Sequence, residues 1–377
     1  MSVEIREVKT KRDFVKFVKF PLRMYRHHPQ YVPDLYIDSI ANLDADKNPM
    51  GKYSKFTKFL AFKDGKVVGR VAAIINEIAN ESWNHKQVRF GWIDFIDDKE
   101  VSRALIEAVI DFGKKYGMTE IAGPLGFTDL DNEGVVVEGF DVISSFMLKT
   151  NFPYYKDHFE ALGMTKEVDW LEFKIYVPDE MPERFTRANK IIMERYNLHI
   201  RKITKREVRK ENYGQKIFDL INIAYKDLYD YTKLPQEVID NYIKTYLGLL
   251  DLNYVVLVEN EKDELVGVGV TMPSLSHAVQ KTHGYLFPFG WWHIVKSMYI
   301  KHEDALELLL IAAHPDYKNK GISALIMSEI HPRVKKGGFK WADSNGELES
   351  NASMQNAWNL FEKELVRRRR VYGMKIE

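Results

Sequence analysis

Three short patterns occur twice in this chain, in the same order, and together they limit the fold more than any single motif does. Ala104-Leu105-Ile106 followed by Lys114-Lys115-Tyr116-Gly117 returns as Ala324-Leu325-Ile326 followed by Lys335-Lys336-Gly337-Gly338. Asp64-Gly65-Lys66-Val67-Val68-Gly69-Arg70-Val71 returns as Asp263-Glu264-Leu265-Val266-Gly267-Val268-Gly269-Val270, with Gly69 and Gly267 in the same place. Phe159-Glu160 through Phe173-Lys174-Ile175 returns as Phe361-Glu362 through Met374-Lys375-Ile376. Ordered self-similarity is the mark of one plan used more than once. The expectation is two homologous domains, 1–177 and 178–377, joined through Val177-Pro178-Asp179-Glu180-Met181-Pro182. With 377 residues, 45% of them hydrophobic, the chain has enough apolar surface for two packed cores.

In the first copy, Val3 to Val8 alternates as a strand and Lys11 to His28 reads as a helix ended by Pro29 and Pro33. A hairpin over Phe59 to Ile78 turns at Asp64-Gly65; a strand over Arg89 to Ile96, a helix over 100–116 and a strand at Ile121 follow. The second copy opens with a strand over Leu198 to Ile203, helices over 211–231 and 236–250, and a hairpin over Tyr254 to Pro273. This mixture of strands and helices is α/β (α+β).

The informative stretch is Leu308 to Ile326. An apolar run of strand length stops at Pro315, a polar turn holds Lys318, Asn319, Lys320 and Gly321, and apolar residues recur at 322, 325, 326 and 330. This predicts strand, tight loop and helix, with the first helical N–H groups pointing into the loop. Those donors, the positive helix end and the two lysines suit a phosphate, and a glycine at 321 lets a ligand approach the backbone. A Walker loop and a dinucleotide fingerprint are both absent. Aligned on the repeat, the first copy has Asp97, Asp98, Lys99 and Glu100 where the second has Tyr317, Lys318, Asn319 and Lys320, and Val101 replaces Gly321. Carboxylates at a helix start satisfy its dipole and repel a phosphate.

Ala313-His314-Pro315-Asp316-Tyr317-Lys318-Asn319-Lys320-Gly321-Ile322-Ser323 resembles the acyl-CoA pyrophosphate loop of the GNAT superfamily of N-acetyltransferases, V-x-P-x-x-[QR]-x-x-G-x-[GA]. Lys318 replaces the usual Gln or Arg, and Ser323 the usual Gly or Ala. The resemblance implies two tandem GNAT-like domains, each a mixed, mostly antiparallel sheet flanked by helices, the first degenerate and the second binding acetyl-CoA or another acyl-CoA. It further implies that Ala312 or Ala313 supplies a backbone donor to the thioester, and that Lys318, Asn319, Lys320, Gly321, Ile322 and Ser323 hold the pyrophosphate. Glu307, at the strand's start, and His314, at its end, are the candidate bases, each with a structural reading beside the catalytic one. The family's Asn-x-x-Ala-x-x-x-Tyr maps onto Asn351 through Trp358. Indole cannot replace the tyrosine as an acid, so Tyr372 or a water takes that role, or the domain transfers poorly. Asn351, with Glu347 and Glu349, is placed near the cleft.

Other features bound the reading. Fifty-five Lys and Arg against 54 Asp and Glu argue against a nucleic-acid partner. The absence of cysteine removes thiolate chemistry and fits a reducing cytoplasm, and no stretch approaches the roughly 18 apolar residues of a membrane span. The long connection over 122–158, rich in aromatics, either walls a substrate cleft or fills a core. His283-Gly284-Tyr285-Leu286-Phe287-Pro288-Phe289-Gly290-Trp291-Trp292-His293 is read as buried between the domains, as an acyl pocket, as a homodimer contact or as a membrane-touching lip. Arg367-Arg368-Arg369-Arg370 meets the 3′-phosphate of CoA or lies on a solvated hairpin turn, and Pro332 is expected to interrupt its helix. The functional expectation is acyl transfer, most simply acetyl, to a small-molecule or peptide amine. A non-catalytic acyl-CoA-binding scaffold and an aminoacyl-tRNA-dependent transferase stay open.

Overall fold

The computed structural model describes residues 2–248 and 250–376. The first half contains strands β1 (Glu4–Glu7), β2 (Ser54–Lys63), β3 (Lys66–Asn76), β4 (Gln87–Phe95), β5 (Glu120–Gly123), β6 (Val135–Glu138) and β7 (Thr165–Tyr176). Its helices are α1 (Lys11–Met24), α2 (Tyr36–Leu43), α3 (Glu77–Ser82), α4 (Lys99–Lys115) and α5 (Tyr154–Ala161). The second half contains β8 (His199–Arg201), β9 (Val255–Glu259), β10 (Leu265–Pro273), β11 (Ala305–Ala313), β12 (Trp341–Asp343), β13 (Glu347–Leu348) and β14 (Lys363–Lys375). Around them lie α6 (Glu183–Tyr196), α7 (Lys205–Lys210), α8 (Tyr213–Ala224), α9 (Gln236–Tyr242), α10 (Ser276–Thr282), α11 (Gly290–Tyr299), α12 (Ile322–Lys336) and α13 (Ala352–Trp358).

One sheet runs through both halves in the order β1-β2-β3-β4-β5-β14-β7-β12-β11-β10-β9-β8. Only β4 with β5 and β11 with β12 pair in parallel among the described residues, so the sheet is mixed and mostly antiparallel. Each half lends the other its last strand. β7 pairs with β12, and β14 inserts between β7 and β5.

The repeat is visible in the register. Gly69 on β3 pairs with Phe95 on β4, and Gly267 on β10 pairs with Ala313 on β11. A Cβ on Gly69 would stand 2.8 Å from Leu105 Cδ1, and one on Gly267 would stand 2.5 Å from Ile322 Cγ2. Both glycines therefore let the following helix, α4 or α12, sit close on its sheet. Leu105 and Ile106 under α4 match Leu325 and Ile326 under α12, all buried in the two main cores.

Two expectations change. The helix carrying Pro332 does not stop there but runs to Lys336, because buried Val334 beyond the proline still packs into the second core. The four arginines are not on a turn. They lie within β14, where Arg367 and Arg369 point to Glu172, and Arg368 and Arg370 point to Asp169 on the other face. Arg367 and Arg369 are almost fully buried, so neither a solvated turn nor a phosphate contact describes them.

Candidate active site

The last residues of β11 have an open side. β12 pairs with it only from Ala305 to Glu307, and beyond that point the two strands diverge. A bulge at Leu309 interrupts its pairing with β10. The extra residue keeps Glu307, Leu310 and Ala312 on one face despite their odd spacing. His314 N–H donates to Val266 O at 2.9 Å, so ladder alternation turns Ala312 N–H toward Val268 and leaves Ile311 and Ala313 facing the gap. Of the two donors the sequence offered, Ala313 has the required direction and Ala312 does not, because β10 uses its amide. Tyr225, at the end of α8, donates from its hydroxyl to Ile311 O at 2.9 Å, and Asn345 donates to Leu308 O at 2.8 Å.

Glu307 lies at the closed end of the gap and is fully buried. Ser145 donates to one carboxylate oxygen at 2.6 Å and Ser274 to the other at 2.9 Å. Ser145 comes from the long connection of the first half, which thus reaches the second half, while its aromatics Phe127 and Tyr155 fill cores, as the second of the two expectations had it. Burial pushes the Glu307 pKa up to about 8, with the neighbouring Asp343 charge adding to the rise and the serine hydrogen bonds opposing it. Asp343 pairs in register with Glu307 and is itself raised to about 6, by burial first and then by Glu172, against the pull of Arg367. Nothing in the sequence around Trp341 to Ser344 marks Asp343 or ties it to Glu307. Only strand pairing does.

His314 is at the other end of β11, seven residues away, or about 23 Å of strand. Its Nδ1 accepts from Asp316 N–H at 3.3 Å and its ring meets Tyr317 edge-on, as a turn residue would. It cannot act with Glu307 on one amine. Tyr372 is removed further. It is buried in the first core beside Phe159, with its hydroxyl 3.3 Å from Glu160, because β14 has crossed to β5. Asn351 caps α13, accepting from Met354 N–H at 3.3 Å, so its side chain is engaged. Glu349 pairs with Lys166 at 2.5 Å. Trp358 donates its indole N–H to Glu347, whose pKa burial raises to about 7, and it packs among Phe173 and Met327.

After the turn Pro315–Tyr317, Asn319 and Gly321 adopt positive φ and α12 begins with Gly321 as its N-cap, with no side chain capping it. Lys318 is exposed, and the Lys320 ammonium stands 4.9 Å from the ring centres of both Tyr196 and Tyr317. Ser323 is half-buried, and Ile322 is buried against Gly267. The Gly321 requirement has a second source: a Cβ there would lie 2.4 Å from Ile192 Cδ1 on α6.

The first copy is closed at the matching points. Asp98 caps α4 by accepting from Glu100 N–H at 2.9 Å and pairs with Lys63 at 2.6 Å. Phe95, the counterpart of Ala313, gives its N–H to Tyr155 Oη at 3.1 Å and accepts from Tyr154 Oη at 2.6 Å. The cavity left there is about 40 Å³, room for roughly one water. By the third repeated pattern, Tyr154 and Tyr155 correspond to Asn356 and Ala357, neither of which carries a hydroxyl to stopper Ala313. Apart from both gaps, His199, Glu259 and Asp263 bring potential metal-ligand atoms within 4.8 Å of one another. Glu259 there already accepts from Tyr213 at 2.5 Å.

No protein-family model matches the chain. It is 25% identical to Protein YghO of Escherichia coli (strain K12) over 382 residues, covering 99% of this chain and 95% of that one. It is 24% identical to the bacterial ceramide synthase of Caulobacter vibrioides (strain NA1000 / CB15N) over 363 residues, covering 92% and 91%. Among solved structures, a tandem GNAT protein from the clavulanic acid biosynthesis pathway matches 99% of this chain and 98% of its own, with a TM-score of 0.57 and 11% identity.

Proposed function

We propose that this chain, which folds as two GNAT-like domains in tandem, is an acyl-CoA-dependent N-acyltransferase whose second half carries the chemistry. One contrast carries this reading: Phe95 has both outward backbone groups stoppered by tyrosines, whereas its counterpart Ala313 opens on a gap between an uncapped helix start and a buried carboxylate. The pyrophosphate lies on the α12 N-terminus with Lys318 and Lys320, and Ala313 N–H faces the thioester oxygen. An ammonium acceptor lies on the Glu307 side of the thioester, and the Glu307–Asp343 pair takes its proton through a chain of waters along the gap, because Glu307 stands six residues from Ala313. The freed amine attacks the thioester carbon, the C–S bond breaks, the thiolate takes a proton from its donor, and the nitrogen, becoming an amide, gives up its second proton, which restores that donor through water. Tyr225, kept protonated by burial that lifts its pKa to about 12, replaces the absent family tyrosine as donor.

The acyl group goes beyond acetyl in this reading. Leu309 at the bulge packs with Met272, Met298 and Ile294, apolar surroundings beside the proposed site that suit a longer chain. A ceramide is an N-acylated long-chain amino alcohol, so the ceramide synthase relative points to a lipid amine. The test is thiol release from acyl-CoAs of increasing length with long-chain amino alcohols, alongside calorimetric titration of wild type and K318A/K320A. Chain-dependent release, and affinity reduced about tenfold or more in the double variant, are expected. Absence of both binding and release sinks the proposal. Binding without release on any amine selects the scaffold reading, which Trp358 favours.

A further inference from the structure

The aromatic insertion is not buried between the halves. Phe287 and Phe289 are 79% and 76% exposed, and Trp291, Trp292 and Ile300 are also open to solvent. Contiguous apolar surface of this kind marks an interaction site. We propose that the α10–α11 hairpin docks the protein on an anionic lipid bilayer, with its aromatic tip in the headgroup layer.

Charge selects this occupant. No Asp or Glu stands between Ser274 and Glu303, whereas Lys281, Lys296 and Lys301 do, and all three are exposed. Lys19 of α1 adds a fourth ammonium, 5.4 Å from the ring centre of Tyr36 and 6.0 Å from that of Tyr285 at the base of the tip. An aromatic crest flanked by four lysines, with no carboxylate on the hairpin itself, fits the boundary between acyl chains and anionic headgroups.

The tip is also built to enter a layer poor in water. Tyr285 N–H donates to Thr282 O at 2.9 Å and Trp291 N–H to Leu286 O at 2.8 Å, while the Trp291 indole donates to Pro288 O at 3.1 Å. Each backbone group paired in this way costs less to desolvate than a free one. At its other end the hairpin is rooted on the site: Ser297 donates to Ser274 O at 3.2 Å, and Ser274 donates to Glu307. The docked face therefore leads to the gap, which rests on the proposed reaction only for its purpose and not for its existence.

Flotation of the full chain with phosphatidylcholine vesicles, with and without phosphatidylglycerol, tests the docking directly and needs no turnover. The wild type is expected to float with the anionic vesicles, to release at high salt, and to show blue-shifted tryptophan emission when bound. F287S/F289S removes only exposed side chains, so its melting temperature should match wild type while its vesicle affinity falls about tenfold or more. A wild type that stays with the soluble fraction, or a variant that floats equally well, overturns the proposal. A concentration-dependent dimer lost in F287S/F289S, without flotation, assigns the face to a second copy and overturns it too.

Discussion

Glu307 carries a stability signature separate from its proposed role with an amine. A carboxyl whose pKa is raised from 4.5 to about 8 holds its proton more tightly in the folded chain than in the unfolded one. Stability from this group is therefore full below about pH 4.5 and declines as pH rises toward 8. Glu307→Gln should flatten that decline, measured by urea denaturation from pH 5 to 9. As a base, Glu307 must be ionised, so kcat/KM should climb with pH and level off above about 8. The glutamine variant should lose about 100-fold or more in kcat and lose the pH limb, with acyl-CoA affinity kept. The carboxyl was offered as a candidate in the sequence only through the resemblance, as the residue at the start of the strand before the loop. Asp343 and Tyr225 were not, because one is tied to the site by a parallel pairing and the other by a hydroxyl reaching a carbonyl 86 residues along the chain. Tyr372 misled because its strand goes to the other half.

At the level of elements, the strand-loop-helix unit of β11 and α12 was legible from periodicity and turn residues, and so was the acidic start of α4. The reason for Gly321 was half legible: the phosphate argument needs only the loop, whereas the contact with Ile192 needs α6 in place. Gly321→Ala should therefore lower stability by roughly 1–2 kcal/mol, from strain at φ +80 and displacement of Ile192, as read by chemical denaturation. It is a poorer binding probe than the lysine pair. The arginine run was misread because alternation does not say which strand lies opposite. Burial alone would raise the Glu172 pKa, but Arg369 and Arg367 hold it below the usual carboxylate range. Glu172→Gln leaves two buried guanidinium groups short of a counter-charge and should cost about 3–5 kcal/mol, measured by thermal and urea unfolding.

Across the whole molecule, the duplicated plan was readable from three short patterns, but the exchange of last strands was not, since each strand alternates acceptably beside either neighbour. The consequence is testable. Fragments 1–177 and 178–377 made separately should each fail to give a cooperative unfolding transition, while the two expressed together should recover one, because β14 completes the first half and β7 the second. Independent folding of either fragment would show that the exchange is dispensable. The same crossing imposes an order on biosynthesis. Residues 120–123 leave the ribosome early, yet the strand that covers their edge, 363–375, emerges after every other described strand. For nearly the whole of translation the nascent chain presents an unpaired sheet edge, the kind of surface that other chains extend. A stop codon just before residue 363 should thus strand the first half as surely as the second, and chaperone demand should persist until 363–375 have emerged.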